Sequence, residues 1–127
     1  MRRIIFSLIF TLVSLTLSAR EIYSLNENWQ FFYKLETSSD YARNISLPHT
    51  WNLDALAGQG NYLQTIGNYS RSIYIPAEWS TKRLFLKFYG VQTIADVFVN
   101  GHHAGEHRGG FTAFTFEITS HVKFGTD

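Results

Sequence analysis

From residue 20 onward, apolar residues recur at every second position far more often than at helical spacing, the pattern of strands buried on one face. Within residues 29–35, Trp29, Phe31, Tyr33 and Leu35 share a face, with Gln30 and Lys34 on the other around Phe32. Further on, Tyr69, Arg71, Ile73 and Ile75 oppose Ser70, Ser72 and Tyr74, and Leu84, Leu86 and Phe88 oppose Arg83, Phe85, Lys87 and Tyr89. Val97 and Val99 face away from Asp96, Phe98 and Asn100, and Phe114, Phe116 and Ile118 alternate with Thr115, Glu117 and Thr119. Five or more short strands separated by turns predict an all-β sandwich.

The punctuation supports that reading. Asn100-Gly101 separates the apolar run at 95–99 from residues 102–107, and this dipeptide favours the positive φ angles of a tight hairpin turn. Gly109-Gly110 marks the next boundary through close backbone approach, and Pro48 and Pro76 close two other runs. Residues 52–67, with Gly58, Gly60 and Gly67, read as one long loop, and a loop of that length in a compact domain is usually functional or disordered.

The N-terminal stretch follows a different logic. Arg2 and Arg3 precede an uncharged run from Ile4 to Leu17 and then Ser18-Ala19, the layout of a secretory signal. Its roughly 14 apolar or hydroxyl residues would span about 21 Å as a helix, short of a hydrocarbon core of about 30 Å, so residues 1–19 are expected to be removed after export rather than to stay as an anchor. The expected location is periplasmic or secreted, with no membrane association after cleavage.

A length of 127 residues leaves room for one domain, residues 20–127, and excludes a complete enzyme built on a large barrel. With 45% hydrophobic and 17% charged residues, the chain can bury enough apolar surface to fold. Its 3 Trp, 7 Tyr and 11 Phe suit sheet faces and sugar-stacking surfaces alike. Loss of Arg2 and Arg3 leaves nine basic residues against ten acidic ones, so the formal charge moves from +1 to −1 and nothing favours nucleic acid or an anionic membrane. The absence of Cys excludes disulfides and thiol chemistry.

Catalytic and metal chemistry find little support. On a regular strand His103 and His107 share a face but stand about 13 Å apart, too far to bind one ion, and His49 and His121 are isolated in sequence. No nucleophile elbow or phosphate loop is present. Glu106 and Glu117 are the carboxylates nearest the turn-rich region, but they read as solvated strand-face charges rather than as a glycosidase pair. This reading assigns no catalytic residue, metal or cofactor to the chain.

Four segments in order carry a family resemblance. They are Leu25-Asn26-x-x-Trp29-x-Phe31, then Leu47-Pro48-His49-Thr50-Trp51-Asn52, then Gly67-Asn68-Tyr69-Ser70-Arg71 with Ile75-Pro76. The fourth runs from Arg83-Leu84-Phe85-Leu86-x-Phe88-x-Gly90-Val91 through Val97-Phe98-Val99-Asn100-Gly101 to Gly105-Glu106-His107-x-Gly109-Gly110-Phe111-Thr112-x-Phe114-x-Phe116-x-Ile118-Thr119. Together they resemble the N-terminal sugar-binding domain of family-2 glycoside hydrolases, the β-galactosidase and β-glucuronidase family, over most of residues 24–125. The resemblance implies a galactose-binding-like jelly-roll sandwich followed by an immunoglobulin-like domain and a (β/α)8 barrel that holds both catalytic glutamates. Taken alone, the chain is therefore expected to lack glycosidase activity.

Two departures stand out. Gly67-Asn68-Tyr69-Ser70 replaces the Gly-Trp-Tyr-Arg of many members, which removes an aromatic and a cation. The chain also ends at Gly125-Thr126-Asp127, where relatives run on into another strand, so the domain reads as C-terminally truncated.

Residues 60–64 occupy the position from which members extend a loop toward the substrate pocket. There Asn61 and Gln64 offer amides to hydroxyl groups and Tyr62 offers a ring to a sugar face; an interdomain contact or a self-packed loop is the other reading. Trp51 reads as a packing residue or a sugar platform. Asn44 and Asn68 begin Asn-x-Ser matches that have little weight without a known glycosylating host. The expected function is the non-catalytic N-terminal domain of a β-galactosidase-like enzyme that hydrolyses O-glycosidic bonds, helping to shape its β-glycoside pocket. A free carbohydrate-binding module and a purely structural sandwich are the alternatives.

Overall fold

The computed structural model describes residues 20–33, 42–51 and 64–126. The expected signal segment, Lys34, Leu35, Asn61 and Tyr62 lie outside these residues. The described elements are seven strands, β1 (Trp29–Tyr33), β2 (Arg43–Ile45), β3 (Gly67–Ser70), β4 (Phe85–Phe88), β5 (Ile94–Val99), β6 (His102–Arg108) and β7 (Phe114–Glu117), with a 3-10 helix at Ala77–Thr81 between β3 and β4. The all-β expectation holds.

Pairing is antiparallel throughout. β1 is central in the order β2-β1-β3, with Phe31 opposite both Arg43 and Tyr69, and β4 pairs with β7. Beyond the β4–β7 ladder, Ile118 N donates to Leu84 O at 2.9 Å and Leu84 N donates to Thr119 Oγ1 at 2.9 Å, so the pairing continues past the end of β7. β5 and β6 form the expected hairpin, with φ of 50° at Asn100 and 79° at Gly101. A left-handed Asn followed by a left-handed Gly is the backbone that the right-handed twist of two paired strands demands.

Burial follows the alternation read from the sequence. Among the described residues, Phe31, Tyr33 and Ile118 are the buried hydrophobic ones, at 0%, 8% and 7% exposure. Leu86, Phe88, Val97, Val99, Phe114 and Phe116 are half-buried, while Phe85, Tyr89 and Phe98 face solvent. The ring of Phe114 stacks on Phe88 at 4.8 Å and on His107 at 4.0 Å, joining β4, β7 and β6 through one column of aromatic faces.

Three local expectations are corrected. Residues 71–75 alternate in burial as expected but form no assigned ladder; their described backbone contact is Gly125 N donating to Ile75 O at 2.8 Å. One-sided burial alone produces the alternation, whereas a ladder also needs a partner strand. Residues 52–63 of the expected long loop lie outside the described residues, and its expected end is corrected, because Gly67 is already in β3 opposite Tyr33. Pro76 opens the 3-10 helix rather than only closing a strand, its φ of −57° being ready for a helical turn. The three-residue β2 is too short for a period of two to register.

Candidate functional site

The residues that flank the 52–63 segment are held by an aromatic block built on β1. The ring of Phe31 meets Tyr33 edge-on at 5.0 Å, His49 and Tyr69 at 4.7 Å each, and Trp51 in a stacked arrangement at 6.2 Å. Polar bonds lock the same groups: Tyr33 Oη donates to Trp51 O at 3.0 Å, and His49 Nδ1 lies 2.8 Å from Tyr69 Oη. Gly67 completes the block, because a Cβ there would collide with the Trp51 ring and stand 2.8 Å from Phe31 Cε2. The Leu-Pro-His-Thr-Trp segment is therefore a packing motif, and Trp51 is a packing residue whose ring is taken up by Phe31 and Gly67.

Gln64 returns to this block on the other side. It is exposed and stands three residues before Gly67. Its amide is free to reach a hydroxyl group. Asn61 and Tyr62 lie outside the described residues, so Gln64 is the described member of the expected trio. Sequence spacing treated His49 as isolated; its place in a proline-bounded aromatic segment was the available signal.

The two carboxylates are engaged by arginines. Glu117 accepts from Arg83 Nε at 3.1 Å and Nη2 at 2.6 Å, and Glu106 accepts from Arg108 Nε at 2.6 Å and Nη2 at 3.2 Å. Hydrogen bonding from Arg83 is the main cause that holds the Glu117 carboxyl below the ordinary carboxylate range, and Thr119 adds to it. A glycosidase acid needs the opposite shift. Both carboxylates are surface partners of guanidinium groups, as strand-face charges should be.

The histidines do not follow a simple strand register. Phe98 pairs with His103 while Val97 pairs with Gly105, so Ala104 is an extra residue, a bulge in β6. It puts His103 on the outer face, 3.3 Å from Asp96 Oδ1, and His107 on the inner face against Phe114. The expectation of a shared face is thus corrected, and the bulge is the cause. His102 and His121, distant in sequence, stack at 5.6 Å, and Asn100 Nδ2 donates to His121 O at 2.8 Å. No group of three metal-ligating side chains occurs among the described residues.

Comparison with known proteins places this architecture. The family model described as glycosyl hydrolase 2 galactose-binding domain-like matches residues 60–127, more than half of the chain. A β-glucuronidase of Bacteroides fragilis is 52% identical over 120 residues, covering 93% of this chain and 17% of that protein. A β-galactosidase of Thermoanaerobacterium thermosulfurigenes is 30% identical over 112 residues, covering 78% of this chain and 15% of that protein. Among solved structures, the β-glucuronidase of Bacteroides uniformis matches with a TM-score of 0.73 and 32% identity, covering 82% of this chain and 13% of that one. The chain thus spans less than a fifth of the length of these relatives. The family model, the shared fold and the four ordered motifs lead to one assignment: the chain belongs to the galactose-binding-like domain family of the family-2 glycosyl hydrolases.

Proposed function

We propose that the chain acts as the non-catalytic N-terminal domain of an exported β-glycosidase and positions substrate without taking part in proton transfer. The observation that carries this reading is the similarity over 93% of the chain to only 17% of a β-glucuronidase, the proportion expected of one accessory domain in a much longer enzyme. In this reading the domain is a jelly-roll sandwich, and the bond-breaking carboxylates belong to a (β/α)8 barrel beyond an immunoglobulin-like domain. A retaining or inverting glycosidase needs two such groups about 5–10 Å apart. Glu106 and Glu117 are committed to arginines instead. The glycoside is a β-glucuronide or β-galactoside, with the name of the 52% identical relative favouring the former.

The contribution of this domain is the 60–64 loop. Gln64 stands between Trp51, stacked on Phe31, and Gly67, and offers its amide to substrate hydroxyls. Asn61, as a second amide, and Tyr62, as a ring for a sugar face, are the further contacts of this reading and lie outside the described residues. Interactions of that kind act through orientation.

The test is hydrolysis of aryl β-glucuronide and aryl β-galactoside by the full-length gene product, with Asn61→Ala, Tyr62→Ala and Gln64→Ala variants. Hydrolysis of one substrate, with raised KM or lowered kcat and unchanged thermal unfolding in Gln64→Ala, is the expected result. Unchanged kinetics in all three variants would remove the loop from the substrate site, and hydrolysis of neither substrate would favour a free carbohydrate-binding module.

A further inference from the structure

Two large rings project to solvent from adjoining loops: Phe111 is 94% exposed and Tyr89 is 75% exposed. Single exposed apolar residues are ordinary, but these two loops touch backbone to backbone. A Cβ at Gly90 would stand 3.3 Å from Gly110 O, and one at Gly110 would stand 3.1 Å from Gln92 Cγ. Gly109 N also donates to Thr93 O at 2.8 Å. Glycine permits this approach, which ties the two ring-bearing loops to each other.

The polar groups around the rings narrow the ligand. Gln92, Thr93 and Thr112 are exposed in the same two loops and supply hydrogen-bonding groups beside the rings. Lys87 Nζ lies 4.7 Å from the Tyr89 ring centroid and has no ion pair among the described residues, whereas Arg83 and Arg108 are both engaged by glutamates. A pyranose ring lays its C–H face on an aromatic ring, an amide pairs with its hydroxyls, and an ammonium group selects a carboxylate.

We infer that Tyr89 and Phe111, with Gln92 and Lys87, form an accessory platform for a carboxylate-bearing glycan chain, apart from the 60–64 loop. The platform does not depend on the proposed role of that loop, because it is read by binding rather than by hydrolysis.

The experiment is affinity electrophoresis of the purified full-length gene product through gels containing polygalacturonate or its methyl ester. Stronger retardation by the free acid is expected, and Tyr89→Ala and Phe111→Ala should each weaken it about threefold to tenfold, the range of one lost ring contact. Lys87→Gln should remove the preference for the free acid while leaving retardation by the ester. Tyr74→Ala, a 56% exposed ring on another segment, should change nothing. Thermal unfolding of each variant separates binding from folding. Absence of retardation, or retardation insensitive to Tyr89→Ala and Phe111→Ala, would overturn the proposal. So would a lower unfolding temperature in Phe111→Ala, which would assign that ring to a domain interface.

Discussion

Phe116 of β7 lies flat over Gly105 of β6, so closely that a Cβ on Gly105 would stand 2.6 Å from Phe116 Cδ1 and 2.8 Å from Cζ. This contact brings the β5–β6 hairpin against the β4–β7 sheet. Only a residue without a side chain leaves room for the ring, and the bulge at Ala104 is what turns Gly105 to the inner face. Gly105→Ala should cost about 1–3 kcal/mol through overpacking, read as a lower urea midpoint with an unchanged m value.

Gly67 has the same steric role beneath Trp51, and here the two partners can be varied together. Gly67→Ala should destabilise by about 1–3 kcal/mol, and the cost should shrink in a Trp51→Ala background because the colliding ring is gone. A double-mutant cycle with no coupling would show that the two residues are not in contact.

At the hairpin tip the cost has another origin. Nothing lies within 4 Å of a Cβ built on Gly101, yet its φ is +79°, so Gly101→Ala should lose about 1–2 kcal/mol from backbone conformation alone. Asn100→Ala should lose its left-handed tolerance together with the Nδ2 bond to His121 O. Chemical denaturation of both variants is the check.

The Arg83–Glu117 pair sets a pH dependence of known sign. Hydrogen bonding from Arg83 lowers the folded-state pKa of Glu117, so its stabilisation is present above the unfolded-state value near 4.5 and is lost as pH falls through the folded value. The carboxylate is exposed and screened, so the effect on global stability is small. The expected reading is an NMR titration of Glu117 Cδ with a midpoint below the ordinary carboxylate range, moving up toward it in Arg83→Gln.

Export is tested directly by N-terminal sequencing. Protein recovered from outside the cytoplasm should begin near Arg20, the outcome expected from the Arg2-Arg3 start, short apolar run and Ser18-Ala19 end. An intact Met1 in the membrane fraction would show an anchor instead.

The faces of the strands were legible because burial on one side imposes a period of two on the residue types. Phe31 and Tyr33 inward, Phe85 and Phe98 outward, and the turn at Asn100-Gly101 all follow from that local rule and from backbone preference. Residues 71–75 show its limit, since their alternation is real but no ladder follows from it. The candidate site was legible only as a region: the spacing of Trp51 and Gly67 did not say that one covers the other, nor that His49 reaches Tyr69.

By itself the sequence determined the all-β class, the positions of most strands, the hairpin turn, the lack of thiol chemistry and the family through its ordered motifs. These depend on residue type and on neighbours a few positions away. Only the tertiary structure decided that β1 sits between β2 and β3, that β4 pairs with β7, that Ala104 reverses the faces of His103 and His107, and that Glu106 and Glu117 are held by arginines. Strand partnership between distant segments is chosen by which faces pack best together, a free energy shared by the whole domain, and no local period records it.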